Sequence, residues 1–310
     1  MTRRIKWPDG KEFAFTVFDD TDRATVENVS EVYSFLADCG FRTTKSVWPI
    51  RGDREPRIGG STCEDQDYLK WVYNLKEIGF EIGYHNATFH SSLRNETIRG
   101  IDKFVELFGH WPKSMANHLN CKENIYWGNY RLTGANEFIY NLLTRYHHNK
   151  VFRGHIEGDK YFWGDICKEK VKYVRSFGYA DINTLEACPI MPYHDPNRPY
   201  VNYWFASSEG PNVDAFNRCI DERNQDRLEE KRGGCIMYTH FAVGFYKDGK
   251  INSRFKFLMD RLSKKNGWFV PVSILLDYLR EQNGEHVITA RERRLLERKW
   301  LLHKIRVGRT

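Results

Sequence analysis

The chain predicts an α/β fold built on a parallel sheet, closed or open, and three observations carry that expectation. Short apolar runs alternate with amphipathic stretches through the first half. Three of those stretches end at a glycine, at Gly40, Gly79 and Gly109. Residues able to bind metal or move protons stand directly behind apolar runs: Asp19-Asp20 after residues 13–18, His85 after 80–84, and His240 after 235–239. In barrel-like α/β folds the loops after the strand C-termini line one shared face, so such residues can meet although far apart in sequence.

Taken in order, residues 13–18 form the opening strand. Residues 24–39 follow as a helix, with Val26, Val29, Val32, Tyr33, Leu36 and Ala37 at helical spacing. A second strand is expected within 41–50, a helix over 65–78, and the strand that ends at His85. Residues 95–108 form the next helix, 113–116 a short strand leading to Asn117-His118, and 135–145 a further helix. Repeated strand–helix units imply right-handed crossovers between parallel strands. The stretch 146–212 is rich in aromatics, Gly, Pro and Asn, with short strands expected near 172–175 and 186–190; long decorated loops of this kind often shape substrate clefts. Regular pattern resumes with a polar helix over 213–231 and the strand into His240. A helix over 255–264, a last strand over 268–272 and a helix over 273–281 with Ser273 as its N-cap complete the pattern.

With 310 residues, 41% hydrophobic and 15% aromatic, the chain can bury a sizeable core, and it lacks the composition of a disordered segment. The organisation expected is one barrel-like domain over residues 1–284 and a basic, amphipathic helical tail over 285–310. No run approaches the roughly 20 apolar residues of a membrane span, and the charged N-terminus has no apolar signal region, so a cytoplasmic protein is the expectation. Seven scattered cysteines with no C-x-x-C pair read as reduced packing residues rather than a disulfide framework or cysteine zinc site. The net charge of +7 is concentrated in the tail, where eight Lys/Arg face Glu292 and Glu297. The body is therefore not a nucleic-acid-binding surface by charge. Leu295, Leu296, Trp300, Leu301, Leu302 and Ile305 among those basic residues suit a helix packed on the barrel or on a second copy in a homodimer. The alternative is a peripheral contact with an anionic membrane or a partner.

Two carboxylates and three imidazoles at strand ends suit a metal-dependent hydrolase. Two His and one carboxylate can hold zinc or a similar divalent ion with a position left open, and a second carboxylate beside it can take a proton from water. Adjacent aspartates on extended backbone point apart, which divides those roles between them. His90, five residues beyond His85, would converge with it through a strand end and turn, not on one helix face.

These residues resemble the polysaccharide deacetylase family, also called NodB-like or carbohydrate esterase family four. Its opening strand ends Thr-Phe-Asp-Asp, matched by Thr16-Val17-Phe18-Asp19-Asp20. Its Glu-Ile-Gly-x-His motif is matched by Glu81-Ile82-Gly83-Tyr84-His85 with His90, and its last apolar strand ending in His by residues 235–240. The unit at 268–273 with its helix is also similar to the family's C-terminal unit. The resemblance, over about residues 11–282, implies a distorted (β/α) barrel with a helical C-terminal extension. It implies Asp19 as general base, Asp20, His85 and His90 as metal ligands, and His240 as general acid. The ion implied is divalent: zinc first, with nickel, cobalt or manganese as alternatives. The reaction implied is removal of an acetyl or similar acyl group from an N-acylated sugar or polysaccharide precursor, as in surface-polysaccharide biosynthesis. A catalytically silent carbohydrate-binding barrel and a hydrolase of non-sugar amides are the alternatives.

The chain departs from the family in three places. The His spacing is one residue longer, Asp-Asp-Gly is replaced by Asp19-Asp20-Thr21-Asp22, and the Arg-Pro-Pro-Tyr segment gives way to residues 115–120 and 123–128. Asn117, His118 and Trp127 become substrate-binding candidates, with Arg153 and Asp165 from the middle region. His118 can hydrogen-bond substrate or replace a ligand, and Asp22 can approach the metal. Tyr161, Phe162, Trp163, Tyr200, Tyr203 and Trp204 suit either sugar stacking or the core. His147, His148, His155 and His194 read as surface loop residues.

Overall fold

The computed structural model describes residues 5–307. Seven strands run parallel and close on themselves: β1 (Phe13–Asp19), β2 (Thr44–Val47), β3 (Glu81–Tyr84), β4 (Ser114–Met115), β5 (Tyr173–Tyr179), then, past the short β6 (Tyr193–His194), β7 (Tyr203–Glu209) and β8 (Gly234–Thr239), which returns to β1. Every residue of β1 is buried, as expected of a parallel strand covered on both faces.

The closure is uneven. β1 and β8 pair through six residues, Ala14↔Gly234 to Asp19↔Thr239, whereas β3 and β4 meet only at Tyr84↔Met115. This makes the barrel distorted. β6 pairs antiparallel to β7 and carries residues 286–287 on its other edge, while Gly267–Trp268 extends the sheet beside the start of β1.

The expected helices form close to their predicted bounds: α1 (Val26–Asp38), α2 (Gln66–Glu77), α3 (Arg94–Phe108) and α4 (Gly134–Leu143). α3 stops at Gly109, whose φ of 76° is the left-handed cap conformation and whose N–H donates to the Val105 carbonyl. Four expectations are corrected. The polar helix over 213–231 is two helices, Val213–Cys219 and Glu222–Glu230, because Asp221 accepts the Asn224 N–H and starts the second. Residues 186–190 form no strand; Asn183 caps a helical turn at Thr184–Ala187 instead. Strand 268–272 shrinks to Gly267–Trp268 because Pro271 begins the next helix, Val272–Asn283. Ser273 therefore lies inside that helix, its N–H donating to Glu81. β7 was hidden in the irregular middle region.

The tail is a helix, Ala290–Val307, laid against the barrel. Trp300, Leu296 and Leu301 are buried, whereas Leu295, Leu302 and Ile305 are exposed. Buried Glu297 accepts from the Thr133 N–H and hydroxyl, from Asn136 and from Arg198. Asp195 accepts from both Arg293 and Arg198. None of the seven cysteines is in a disulfide, and all but Cys39 are buried; burial pushes the Cys235 thiol up to about 12. No helix among the described residues is long and apolar enough to cross a membrane.

Candidate metal centre

The C-terminal end of β1 delivers three aspartates in four residues, and the structure sends them to different partners. Asp19, the last strand residue, turns into the protein. Its Oδ2 accepts from the Tyr33 hydroxyl at 2.8 Å and lies 2.9 Å from the Lys45 ammonium, and its Oδ1 accepts the Phe241 N–H at 2.8 Å. It does not line the cavity at the barrel mouth. Both oxygens of Asp19, the expected general base, are thus engaged inside the protein and away from the cavity.

Asp20 does face the cavity, gripped by Arg175 of β5 through two hydrogen bonds of 2.8 and 2.6 Å. The guanidinium also lies over the Tyr238 ring at 4.3 Å. Asp22, beyond the strand, reaches furthest over the mouth. Its Oδ2 is 3.0 Å from His85 Nε2, its Oδ1 is 3.2 Å from His118 Nδ1, and the two imidazole nitrogens are 3.2 Å apart. His240 Nε2 approaches the same carboxylate at 3.5 Å and the Tyr238 hydroxyl at 3.4 Å. Its Nδ1 sits 2.8 Å from the Pro211 carbonyl, which makes Nδ1 the protonated nitrogen and turns Nε2 to the cavity.

Asp22, His85 and His118 fit a divalent ion. Tetrahedral ligands at zinc bond lengths stand about 3.3 Å apart, close to the 3.2 Å between the two imidazole nitrogens, and each of those nitrogens has one Asp22 oxygen within 3.0–3.2 Å. Burial pushes the His85 imidazole below its ordinary value, which keeps it in the neutral form that binds metal. Burial opposes ionisation of Asp22, but hydrogen bonds from His118 and His85 hold its carboxyl well below the usual range. His85 Nδ1 has no hydrogen-bond partner, and its nearest carboxylate oxygen, on Asp20, is 4.0 Å away. Such an outer carboxylate commonly orients a metal-bound imidazole. Asp20, Asp22 and His240 form a second, overlapping set of donors.

His90, expected among the ligands, lies apart from this cluster. It sits with Asp53 and Glu96, 3.6 and 4.0 Å from its Nε2, packed where a Cβ on Gly52 would stand 2.2 Å from the same nitrogen. His90 lies beyond the turn that follows β3, beside Glu96 in the first turn of α3. Asn117 and Trp127 line the cavity, with Asn117 also holding its own loop through Ile125. Arg153 and Asp165 do not line it: Arg153 faces Asp159, and Asp165 is paired with Arg94 on the surface. Of the six aromatics suited to stacking or the core, none lines this cavity, and Trp163 and Trp204 are buried. His155 is buried against Tyr126 and His148 reaches the cavity, so neither is a surface residue.

Several cavity residues had gone unpredicted: Arg131, Tyr140, Arg175, Glu209, Tyr238, Trp300 and Lys304. Arg175 on an alternating strand and Glu209 at a strand end before Gly-Pro were the available signals. Behind the histidines, Asn86 donates to Glu123 and Asn124 and accepts the His118 N–H. Glu123 is fully buried, and burial raises its carboxyl to about 7.

No family model and no curated protein matches this sequence. Solved structures do match in shape. A Mycobacterium smegmatis protein assigned as a polysaccharide deacetylase is 12% identical, with 92% of this chain and 96% of that chain covered and a TM-score of 0.51. A Pseudomonas aeruginosa PAO1 protein assigned likewise is 10% identical, with 90% and 94% covered and a TM-score of 0.50. The closed seven-stranded barrel with its surrounding helices is thus the polysaccharide deacetylase fold.

Proposed function

We propose that the chain is a divalent-metal hydrolase that removes an acetyl or similar acyl group from an N-acylated sugar. The observation that carries the reading is the convergence of one Asp22 carboxylate and the imidazoles of His85 and His118 within 3.0–3.2 Å at the mouth of a deacetylase-type barrel. We assign these three as the ligand set, in place of Asp20, His85 and His90. A bound divalent ion would polarise the acyl carbonyl and acidify a water beside it.

The remaining roles fall to the chain's own side chains. His240, its Nδ1 tied to the Pro211 carbonyl, presents Nε2 to the cavity and moves a proton to the departing nitrogen. Asp20, which faces the cavity where Asp19 does not, is the carboxylate to take the proton of the water, and Arg175 fixes its orientation. Tyr238 stands beside His240 and fills the wall between it and Arg175. The proposed action is placed on a precursor inside the cell, and zinc suits the mixed nitrogen and oxygen donors.

The test is metal content of unsoaked protein together with acetate release from N-acetylated sugars. We expect about one divalent ion per chain, lost with activity in Asp22→Asn. Metal-free protein that neither binds zinc nor releases acetate would overturn the reading.

A further inference from the structure

The far wall of the cavity holds a charge that the proposed hydrolysis leaves unused. Arg131 projects between two tryptophans, 3.4 Å from the Trp127 ring centre and 5.0 Å from that of Trp300. Its Nε is buried without a hydrogen-bond partner, and among the described residues no carboxylate comes within ion-pair distance of its guanidinium. Burial pushes it down to about 10, the direction of a cation short of compensation. Several neighbouring charges are matched, Arg175 by Asp20, Lys304 by Glu209, and Asp22 by its histidines, while Arg23 at the exposed rim of the cavity is in no ion pair among the described residues. Arg131 is half-buried, with its Nε enclosed and without an anion, and its planar fork suits carboxylate or phosphate.

Arg131 and the Asp22–His85 wall line one cavity of about 250 Å³. That is below the roughly 300–1,000 Å³ of sites for drug-sized ligands. The C-terminal helix closes its far side with Trp300 and Lys304. A space of that size takes one sugar unit at a time.

We infer that Arg131, clamped by Trp127 and Trp300, is the receptor for a carboxylate or phosphate on a single-unit acylated sugar whose acyl group lies at Asp22, His85 and His118. The inference rests on the hydrolase reading for the position of the acyl group, but not for the anion site itself. Trp127 and Trp300 exclude water around the guanidinium and hold its plane, so the bound anion meets a preorganised fork.

The test is titration of the full chain with N-acetylglucosamine, N-acetylglucosamine 1-phosphate, N-acetylmuramic acid and inorganic phosphate, read by calorimetry and by tryptophan fluorescence. At least one anionic sugar should bind about tenfold or more tighter than the neutral sugar, as charge-assisted hydrogen bonds allow. The phosphate and carboxylate arms tell which anion is read. Arg131→Gln should lose the preference while keeping affinity for the neutral sugar, Arg131→Lys should keep part of it, and Asp22→Asn should keep all of it. Equal affinity for neutral and anionic sugars in the native protein overturns the inference, as does a preference that survives Arg131→Gln. Should Arg131→Gln fail to fold, the native comparison and Arg131→Lys decide. Acetate release that is equally efficient from neutral and anionic sugars overturns the anion site alone. A clear anion preference without acetate release from any probe overturns the hydrolase reading alone.

Discussion

Lys45 and Asp19 form an ion pair of 2.9 Å in which neither side chain reaches solvent. The pair joins β2 to the end of β1, and the Tyr33 hydroxyl and Phe241 N–H complete the carboxylate's shell. A carboxylate so enclosed anchors the barrel mouth.

Asp19→Asn should therefore act on stability. It leaves Lys45 buried without its counter-charge, a change that typically costs about 3–5 kcal/mol. Denaturant unfolding measures the loss, and zinc titration of the folded protein should show the metal site intact. Unchanged stability with abolished turnover would return Asp19 to the role of base.

Metal binding should separate the histidines. His118→Ala and Asp22→Asn are expected to lower zinc affinity by at least about tenfold, since each would supply one of the three proposed donors. His90→Ala should leave it unchanged, because His90 belongs to the Asp53 and Glu96 group. Calorimetric titration of the demetallated variants checks both, and equal losses in His90→Ala and His118→Ala would restore the expected ligand set.

Glu123 predicts a pH dependence of stability. Its carboxyl titrates at about 7 when folded against 4.5 for the ordinary group, because burial disfavours the charged form. Between those values the folded chain holds a proton that the unfolded chain has released, so stability falls as pH rises through this window. The full effect is up to about 3 kcal/mol. Glu123→Gln should flatten the thermal midpoint between pH 4.5 and 7; an unchanged slope would show that Glu123 does not set it.

Trp300→Ala should cost about 3–5 kcal/mol, since the indole is buried between Tyr140 and Phe177. It should also widen the cavity it walls. Chemical denaturation checks the first effect; a loss below about 1 kcal/mol would show the C-terminal helix to be loosely docked.

His240→Ala should reduce acetate release about 10²–10⁴-fold with zinc content unchanged, the range for removing one acid–base group. Parallel loss of zinc would make it a ligand instead.

Much of this was written locally. Short continuous apolar runs placed β1, β3 and β8, and period-3.6 patterns the first four helices, because each signal is complete within a few turns or a few strand residues. The same runs marked Asp20, His85 and His240 as strand-end residues. β7 escaped because Tyr203 and Trp204 follow an Asn- and Pro-rich stretch and read equally as loop aromatics. The helix over 213–231 was read as one because Asp221 is polar among polar residues, and only its capping of Asn224 reveals the break.

By itself, the sequence determined the α/β class, the strand ends that carry chemistry and the resemblance to deacetylases. Tertiary structure decided which side chains share the site. It withdrew Asp19 to Lys45, carried His90 away to Asp53, and brought Asp22 and His118 beside His85. It also folded the basic helix over the cavity so that Trp300 meets Arg131. The physical reason is that a local pattern encodes the face a residue occupies on its own element. Which carboxylate stays free depends on charges arriving from other strands, at sequence separations that no local period spans.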